Sequence, residues 1–255
     1  MRLVQGYGAS SYGDAFADVY DDWYHDVSDV DATVARLIEL TPRNGRVLEL
    51  GIGTGRLALP LAERGAAQGI TVHGIDASGA MLERLRAKDP SGRVLAHLGD
   101  MVDDLPVGPF DTAFIAYNSI FNLIDAGRQA ACFAAVARVL TPGGRFAVEA
   151  FVPAEPPPSG EEVRVRSLEA DRVVLSISVH DPTRQRAEGQ FVELTEAGGV
   201  RMRPWSIRYA SPTELDAMAT AAGLQLEHRW RGFDDPAWDE DAERHVSIYR
   251  RPADP

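Results

Sequence analysis

Val47-Leu-Glu-Leu-Gly51-Ile-Gly53-Thr-Gly55 is a run of apolar residues that leads directly into three closely spaced glycines. Residues 46–50 predict a buried strand, and the apolar residues after the glycines predict a helix that extends to Arg64. Glycine is useful in such a turn because a side chain would stop the backbone from approaching a ligand. A strand, a glycine-rich turn and a helix in this order are typical of ligand-binding α/β folds.

Strands and helices alternate through most of the chain that follows this turn. Further strands are predicted at 70–75, 93–98, 111–116, 145–151, 224–231 and 244–250. Strands separated by helices of about 10–14 residues need crossover connections, which make neighbouring strands parallel. We therefore expect an α/β fold with a doubly wound, mainly parallel seven-stranded sheet.

The alternation is interrupted after the fifth strand by the segment PAEPPPSG at 153–160. Four stretches of β character follow it, at 162–168, 172–180, 185–194 and 199–209. Short turns between these stretches predict an antiparallel β meander, which we interpret as an insertion in the α/β fold. Ser211, Pro212 and Glu214 then form a strong helix start and return the chain to the main sheet.

The residues before the first strand predict two helices. Phe16, Val19, Tyr20, Trp23 and Tyr24 recur at spacings of three and four, which indicates one continuous helical stripe from Asp14. A second helix is predicted at 29–40. We expect four parts: a helical cap at 1–44, a ligand-binding core at 45–152, an antiparallel β lid at 153–209 and the rest of the core at 210–255.

Composition excludes several classes of function. The 255 residues include 26 Lys and Arg against 38 Asp and Glu, a net charge of −12 without a basic run, so we expect no nucleic-acid partner. No apolar stretch reaches membrane-spanning length and the first residues lack the apolar region of a signal peptide, so we expect no membrane partner and a cytoplasmic location. Cys132 is the single cysteine, which excludes an intrachain disulfide. The six histidines show no paired ligand spacing, so we expect no metal.

Two further motifs follow the second and third predicted strands. Asp76 can accept hydrogen bonds from both hydroxyls of a ribose, although an acid at this place also occurs in NAD sites. Gly99-Asp100-Met101 ends the third strand, where Asp100 can accept from an adenine amino group and Met101 can pack on the ring. The glycines at 51, 53 and 55 are followed by Arg56, which departs from the G-x-G-x-x-G spacing of dinucleotide sites. This departure favours a nucleoside that carries an amino acid over one that carries a diphosphate.

These motifs, with Phe110-Asp111 and Leu140-Thr-Pro-Gly-Gly144, resemble class I S-adenosylmethionine-dependent methyltransferases over residues 45–151. The flanking Ala17-Asp-Val-Tyr20-Asp-Asp-Trp-Tyr24 and the meander resemble the glycine and sugar-amine N-methyltransferases of bacterial biosynthetic pathways. The resemblance implies an enzyme that uses S-adenosylmethionine, releases S-adenosylhomocysteine and methylates a small molecule. It also implies a cofactor that lies over the ends of the first four strands of a Rossmann-like core.

The resemblance further implies a set of cofactor-binding residues. These are Tyr20, Tyr24, Glu49, Gly51, Gly53, Gly55, Asp76, Ala77, Met81, Asp100, Met101 and Tyr117. Glu49 and the backbone of the first two glycines would face the methionine moiety, Asp76 the ribose, and Asp100 with Met101 the adenine. Tyr20 or Tyr24 would fold over the cofactor, although both tyrosines also suit a role as core residues.

Doubly wound sheets bind ligands at the carboxyl ends of their strands, so the acceptor should lie near the ends of the fourth and fifth strands. Asn118 and Glu149 are the candidate catalytic residues there, and His25 is a weaker candidate base. The candidate substrate-binding residues are Tyr117, Asn122, Trp205 and Tyr209, the last two on the meander.

The element of the acceptor atom is predicted from the lack of an evident base in the sequence. A hydroxyl acceptor usually needs a base, whereas an amine needs only to arrive unprotonated. No Lys and His pair suited to this task is evident, which slightly favours nitrogen. Methylation of oxygen or of a peptide, a non-catalytic binding module and an NAD(P)-dependent oxidoreductase stay as alternatives. A homodimer through the meander is also compatible with the sequence.

Overall fold

The computed structural model of this protein describes residues 6–234 and 237–253. Its strands are β1 (Arg46–Leu50), β2 (Thr71–Asp76), β3 (Val94–Leu98), β4 (Phe110–Ile115), β5 (Leu140–Phe151), β6 (Gly160–Leu168), β7 (Arg172–Asp181), β8 (Arg186–Thr195), β9 (Val200–Arg208), β10 (Gln225–Trp230) and β11 (Arg244–Arg250). Its helices are α1 (Ser11–Phe16), α2 (Tyr20–Trp23), α3 (Val30–Leu40), α4 (Ala58–Gly65), α5 (Gly79–Lys88), α6 (Ala126–Val139) and α7 (Pro212–Ala221).

Seven strands form the central sheet in the order β10-β11-β5-β4-β1-β2-β3. The strands from β1 to β5 pair in parallel, whereas β11 is antiparallel to both β5 and β10. Both faces of the sheet are buried: Leu48 and Leu50 lie in one apolar cluster, and Val47 lies in the other. The predicted doubly wound, mainly parallel seven-stranded sheet is confirmed.

The remaining four strands form a separate antiparallel sheet in the order β6-β7-β8-β9, which we call the lid sheet. It follows β5 directly, and each of its strands begins and ends within two residues of the predicted stretch. The expected antiparallel insertion after the fifth strand is therefore confirmed. After it, Ser211 and Glu214 make the predicted capping box at the start of α7.

The structure corrects the prediction of one continuous N-terminal helix. The segment forms two short helices, α1 and α2, with a break between Phe16 and Tyr20. Arg203 of the lid sheet is buried at this break, where it donates to the carbonyl of Ala15 and to both carboxylate oxygens of Asp18. These contacts with a strand distant in sequence outweigh the local helical pattern.

A second correction concerns the start of the fifth strand, which begins at Leu140 and not near Arg145. Leu140 pairs with Phe110 of β4, and the register then shifts before Arg145 pairs with Thr112. Gly143 lies in this irregular stretch and has a φ of +81°, a backbone conformation that favours glycine. Among the described residues, no helix is long and apolar enough to cross a lipid bilayer.

Removal of the charge from Asp18 is expected to loosen the lid sheet from the N-terminal segment. The Asp18→Asn variant leaves the buried guanidinium of Arg203 with Glu193 as its remaining charged partner, 3.0 Å away. A charged hydrogen bond of this kind is worth about 1.5–3 kcal/mol, so the melting temperature should fall by roughly 3–8 °C. Calorimetry or circular dichroism measures this shift.

Asp31→Asn is a matched control, because Asp31 pairs with Arg64 on the exposed surface. Exposed pairs contribute little, so the control should melt within about 2 °C of the original protein. Equal shifts in the two variants would mean that the Arg203 contacts do not anchor the lid sheet.

Candidate functional site

The glycine-rich turn after β1 opens into a cavity at the carboxyl ends of the parallel strands. Gly51 and Gly53 line this first cavity, with φ angles of +69° and +55° that favour glycine. A Cβ atom on Gly53 would meet nothing closer than Met81 Sδ at 4.0 Å, so the turn offers open backbone to a ligand. Gly55, also predicted to bind the cofactor, does not line the cavity. A Cβ atom on Gly55 would lie 3.0 Å from Leu59 Cγ, in the packing of the helix that follows the turn.

Asp76 ties the glycine turn to the end of β2. Its Oδ2 accepts the N–H of Gly53 at 2.8 Å, and its Oδ1 accepts the N–H of Ser78 at 2.9 Å. Burial raises the pKa of Asp76, and the two N–H donors oppose this shift. A carboxylate oxygen has two acceptor positions, so each can still accept a hydroxyl of a ligand in the cavity.

The wall that follows β3 consists of Asp100 and Met101, as the sequence predicts. Asp100 Oδ1 accepts the N–H of Val102 at 2.8 Å and pairs with Arg128 Nη2 at 2.6 Å. Ala77 and Met81 also line the cavity. These contacts hold the acidic turn in one position beside the cavity.

Glu49 lies two residues before Gly51; it is only 4% exposed and does not line either cavity. Burial raises the pKa of Glu49 to about 8, and the nearby Arg56 opposes the shift. Its Oε2 is buried and has no hydrogen-bond partner among the described residues. A buried acceptor without a partner is costly, so this site suits a ligand that brings a donor.

Three tyrosines connect the N-terminal segment to the end of β4. Tyr20 lines the first cavity, and its ring lies 4.9 Å from that of Tyr24. The Tyr24 ring is buried and meets the Tyr117 ring edge-on at 5.9 Å. Tyr20 thus faces the cavity, whereas Tyr24 and Tyr117 stand behind it within the aromatic cluster.

Tyr117 also lines a second cavity of about 700 Å³, beside the ends of β5 and β11. Glu149, in the lining of this cavity, accepts the N–H of Tyr117 through Oε2 at 2.9 Å. Asn118 lies in the same lining and accepts the N–H of Phe151 through Oδ1 at 2.6 Å. Both candidate catalytic side chains therefore join the ends of β4 and β5, and burial raises the pKa of Glu149.

The remaining predicted residues lie elsewhere. Asn122 lines the first cavity and not the second. Trp205 packs over Gly189 on the lid sheet, and Tyr209 is buried near Phe151, so both lie outside the lining of the two cavities. His25 is exposed, and its Nδ1 lies 2.8 Å from the carbonyl oxygen of Asp22, so it is not placed to act as a base in either cavity.

Comparison with known proteins identifies the family. A family model described as a methyltransferase domain matches residues 47–144. The cypemycin N-terminal methyltransferase of Streptomyces sp is 30% identical over 220 residues, which cover 85% of this chain and 88% of that protein. The chain belongs to the class I S-adenosylmethionine-dependent methyltransferases.

Solved structures and a second relative agree with this assignment. The CcbJ methyltransferase from Streptomyces caelestis is 38% identical to this methyltransferase, with a TM-score of 0.86 over 97% of this chain and 100% of that chain. The demethylmenaquinone methyltransferase of Thermus thermophilus is 32% identical and covers 77% of this chain and 80% of its own length. The sugar N-methyltransferase KedS8 from Streptoalloteichus sp, at 22% identity and a TM-score of 0.69 over the full length of both chains, shares the fold.

The residues that line the first cavity, and Glu49 beside its glycine turn, fit the S-adenosylmethionine that this family uses. The unpartnered Oε2 of Glu49 suits an ammonium group, and the open backbone at Gly53 admits a ligand without a clash. Asp76 keeps acceptor positions for hydroxyl groups. Among the described residues, no group of three or more His, Cys, Asp or Glu side chains is arranged to hold a metal ion.

Several residues in or near the first cavity of this methyltransferase were not predicted. Tyr12, Ser119 and Arg128 line the first cavity, and Arg56 acts electrostatically on Glu49, Tyr20 and Tyr117. The place of Arg56 directly after the third glycine was the one available signal. Tyr12 carries no such signal, because its position depends on how the N-terminal segment folds back over the sheet.

Proposed function

We propose that this methyltransferase transfers the methyl group of S-adenosylmethionine to a nitrogen atom of a small molecule. The observation that carries this proposal is the chemistry of the cavity walls. Among the described residues that line the two cavities, the ionisable side chains are carboxylates, arginines and tyrosines, without a histidine or a lysine. Such carboxylates suit an amine, which they can hold by charge and which reacts once it has lost its proton, better than a neutral hydroxyl.

The cofactor is assigned to the first cavity. Glu49 receives the ammonium group of the methionine moiety, Asp76 receives the ribose hydroxyls, and Asp100 with Met101 borders the adenine. Gly51 and Gly53 present open backbone beneath the amino acid, and Tyr20 covers it. When bound there, S-adenosylmethionine supplies an electrophilic methyl group on its sulfonium, so the protein mainly orients the reactants.

The first cavity has a volume of about 200 Å³, which is below the roughly 300–1,000 Å³ of ordinary small-molecule sites. Gly8, Ala9, Tyr12 and Gly13 of the N-terminal segment form one of its walls. Outward movement of this segment would enlarge the cavity for the cofactor. The contacts of Arg203 with Asp18 join the segment to the lid sheet, so both would move together.

The acceptor is assigned to the second cavity. The lining of this cavity holds two arginines and four carboxylates, which belong to Glu149, Asp234, Asp241 and Glu243. Glu149 attracts an amine, and Tyr117 and Asn118 orient it against the end of β4. Orientation of this kind can contribute about 7–11 kcal/mol to the lowering of a barrier. The name of the cypemycin N-terminal methyltransferase supports nitrogen, whereas that of the demethylmenaquinone methyltransferase refers to a quinone.

A methyl-transfer assay with matched acceptors tests the choice of atom. Cofactor labelled in the methyl group is incubated with amino sugars and with the same sugars that carry a hydroxyl in place of the amine. A peptide with an open N-terminus is compared with its acetylated form. We expect label on the amines only. Label on the hydroxyl compounds in preference to the amines would overturn the proposal.

Glu149→Gln tests the place of the acceptor. The amide oxygen of glutamine can still accept the N–H of Tyr117, so the variant removes mainly the negative charge. We expect the KM for an amine acceptor to rise by about tenfold, with cofactor affinity changed by less than about threefold. Glu227→Gln is the control, because Glu227 pairs with Arg145, in the middle of β5, at 2.7 Å and lies outside the lining of both cavities. An unchanged KM in Glu149→Gln would place the acceptor elsewhere.

A further inference from the structure

Arg128 lies in the first turn of α6 and lines the first cavity. Its backbone N–H donates at 3.3 Å to Oδ1 of Asp125, the residue that caps this helix. At the other end of the side chain, Nη2 donates to Asp100 Oδ1 at 2.6 Å, and Nη1 donates to Asp103 Oδ2 at 2.7 Å. Arg128 is therefore fixed at both ends, and it ties α6 to the turn that follows β3.

The two carboxylate oxygens of Asp100 are used unequally. Oδ1 accepts from Arg128, from the N–H of Val102 at 2.8 Å and from the N–H of Asp103 at 3.4 Å. Oδ2 accepts no hydrogen bond from the part of the chain that the structure describes. Because Asp100 lines the first cavity, this second oxygen is the one that can accept an N–H of a ligand there.

We propose that Arg128 is a positioning residue that makes the first cavity specific for adenine, an inference that rests on the placement of the cofactor in that cavity. The guanidinium holds Oδ1 of Asp100, and Oδ2 accepts the exocyclic amino group of the base. Hypoxanthine carries an oxygen in place of this amino group, so the carboxylate would face a second acceptor. Arg128 touches no reacting atom and acts through Asp100.

The charges of this turn give the reason for an arginine. Asp100, Asp103 and Asp104 place three carboxylates within five residues. Arg128 pairs with the first two, whereas Asp104 accepts the backbone N–H of Asp100 at 2.8 Å. Without the guanidinium between them, Asp100 and Asp103 would repel each other, and the Asp100 side chain would be free to turn away from the cavity. A planar guanidinium can bind two carboxylates at once, which a lysine ammonium does less well.

Calorimetric titration with two ligands tests the proposal. S-inosylhomocysteine carries an oxygen in place of the 6-amino group of S-adenosylhomocysteine. We expect the wild-type protein to bind the adenosyl ligand at least about 30-fold more tightly, because a site built to accept an N–H rejects an analogue without it. In Arg128→Met this ratio should fall at least about fivefold, through weaker binding of the adenosyl ligand. Arg128→Lys keeps the charge and should give an intermediate ratio.

Arg93→Met is the matched control. The Arg93 side chain is 43% exposed against 38% for Arg128, and it also contacts two carboxylates, those of Asp89 and Glu63. It lies outside the lining of both cavities, so the ratio of the two affinities should stay at the wild-type value. Circular dichroism should show that Arg128→Met keeps its fold, because an arginine at a partly exposed site contributes little to stability.

A double-mutant cycle shows whether Arg128 acts through Asp100. Asp100→Ala should bring the ratio close to one, and Arg128→Met should change it no further in that background. Equal losses of affinity for the two ligands in Arg128→Met, or an effect on the ratio that persists without Asp100, would overturn the inference and leave the placement of the cofactor intact. Equal binding of the two ligands by the wild-type protein would separate the adenine from Asp100, and the inference would fail together with that placement.

Discussion

Replacement of Asp76 by alanine is expected to weaken S-adenosylhomocysteine binding by about 10²- to 10⁴-fold. The carboxylate would lose two ribose hydroxyls, and each hydrogen bond to a charged group is worth about 1.5–3 kcal/mol. The same change removes the acceptors of the Gly53 and Ser78 N–H groups, so the glycine turn also becomes less ordered. Calorimetric titration with S-adenosylhomocysteine measures the effect directly.

Asp29→Ala is the matched control for this variant. Asp29 is also a carboxylate that accepts a backbone N–H, from Ala32 at 2.9 Å, but it caps α3 outside both cavities. Its loss should lower stability by about 1 kcal/mol and leave cofactor affinity unchanged. If Asp76→Ala bound the ligand within threefold of wild type, the cofactor would not lie over β2 as proposed.

Glu49→Gln is expected to weaken cofactor binding by about 10- to 10²-fold at pH 8. In the protein without ligand, Glu49 has a pKa of about 8 and so keeps its proton at neutral pH. The ammonium group of the cofactor favours the ionised form and lowers this pKa in the complex. The complex therefore holds fewer protons than its separate parts, and affinity should rise with pH up to about 8.

Calorimetry in buffers of different ionisation enthalpy tests this linkage. Near pH 7 the wild-type protein should release close to one proton for each cofactor bound, whereas Glu49→Gln should release almost none. The ratio of the cofactor affinity of the wild-type protein to that of Glu49→Gln should fall by about tenfold for each pH unit below 8. Proton release that is equal in both proteins would exclude Glu49 as the ammonium partner.

Stability distinguishes a binding role for Glu49 from a structural one. Its pKa is raised on folding, so the unfolded chain loses this proton more readily between about pH 4.5 and 8, and stability falls as pH rises through this range. Glu49→Gln has no carboxyl group to titrate at this position, so it should escape this fall in stability and melt at a higher temperature than wild type near pH 7. Glu63→Gln, at a surface carboxylate near Arg93, should change neither binding nor melting appreciably.

Local sequence patterns account for much of the fold and part of the candidate site. The alternation of strands and helices predicts the parallel sheet, and the short turns after PAEPPPSG predict all four strands of the lid sheet. The two-residue period of a strand and the turn residues at its ends act over a few neighbours, which is why they can be read along the chain. Gly51, Gly53, Asp76 and Asp100 follow the ends of β1, β2 and β3, so parallel strand order alone brings them to one edge.

The sequence by itself therefore determined the class of fold, the edge of the sheet where Gly51, Asp76 and Asp100 meet, and the presence of an inserted lid sheet. The tertiary structure alone decided that Arg203 lies at the break in the N-terminal helix, that Gly55 packs against Leu59, and that Trp205 lines neither cavity. It also decided that the lid sheet exposes apolar side chains such as Val163, Val165 and Val200. These features depend on contacts between residues far apart in the chain, and a pattern of neighbouring residues predicts which side of an element is apolar but not what packs against it.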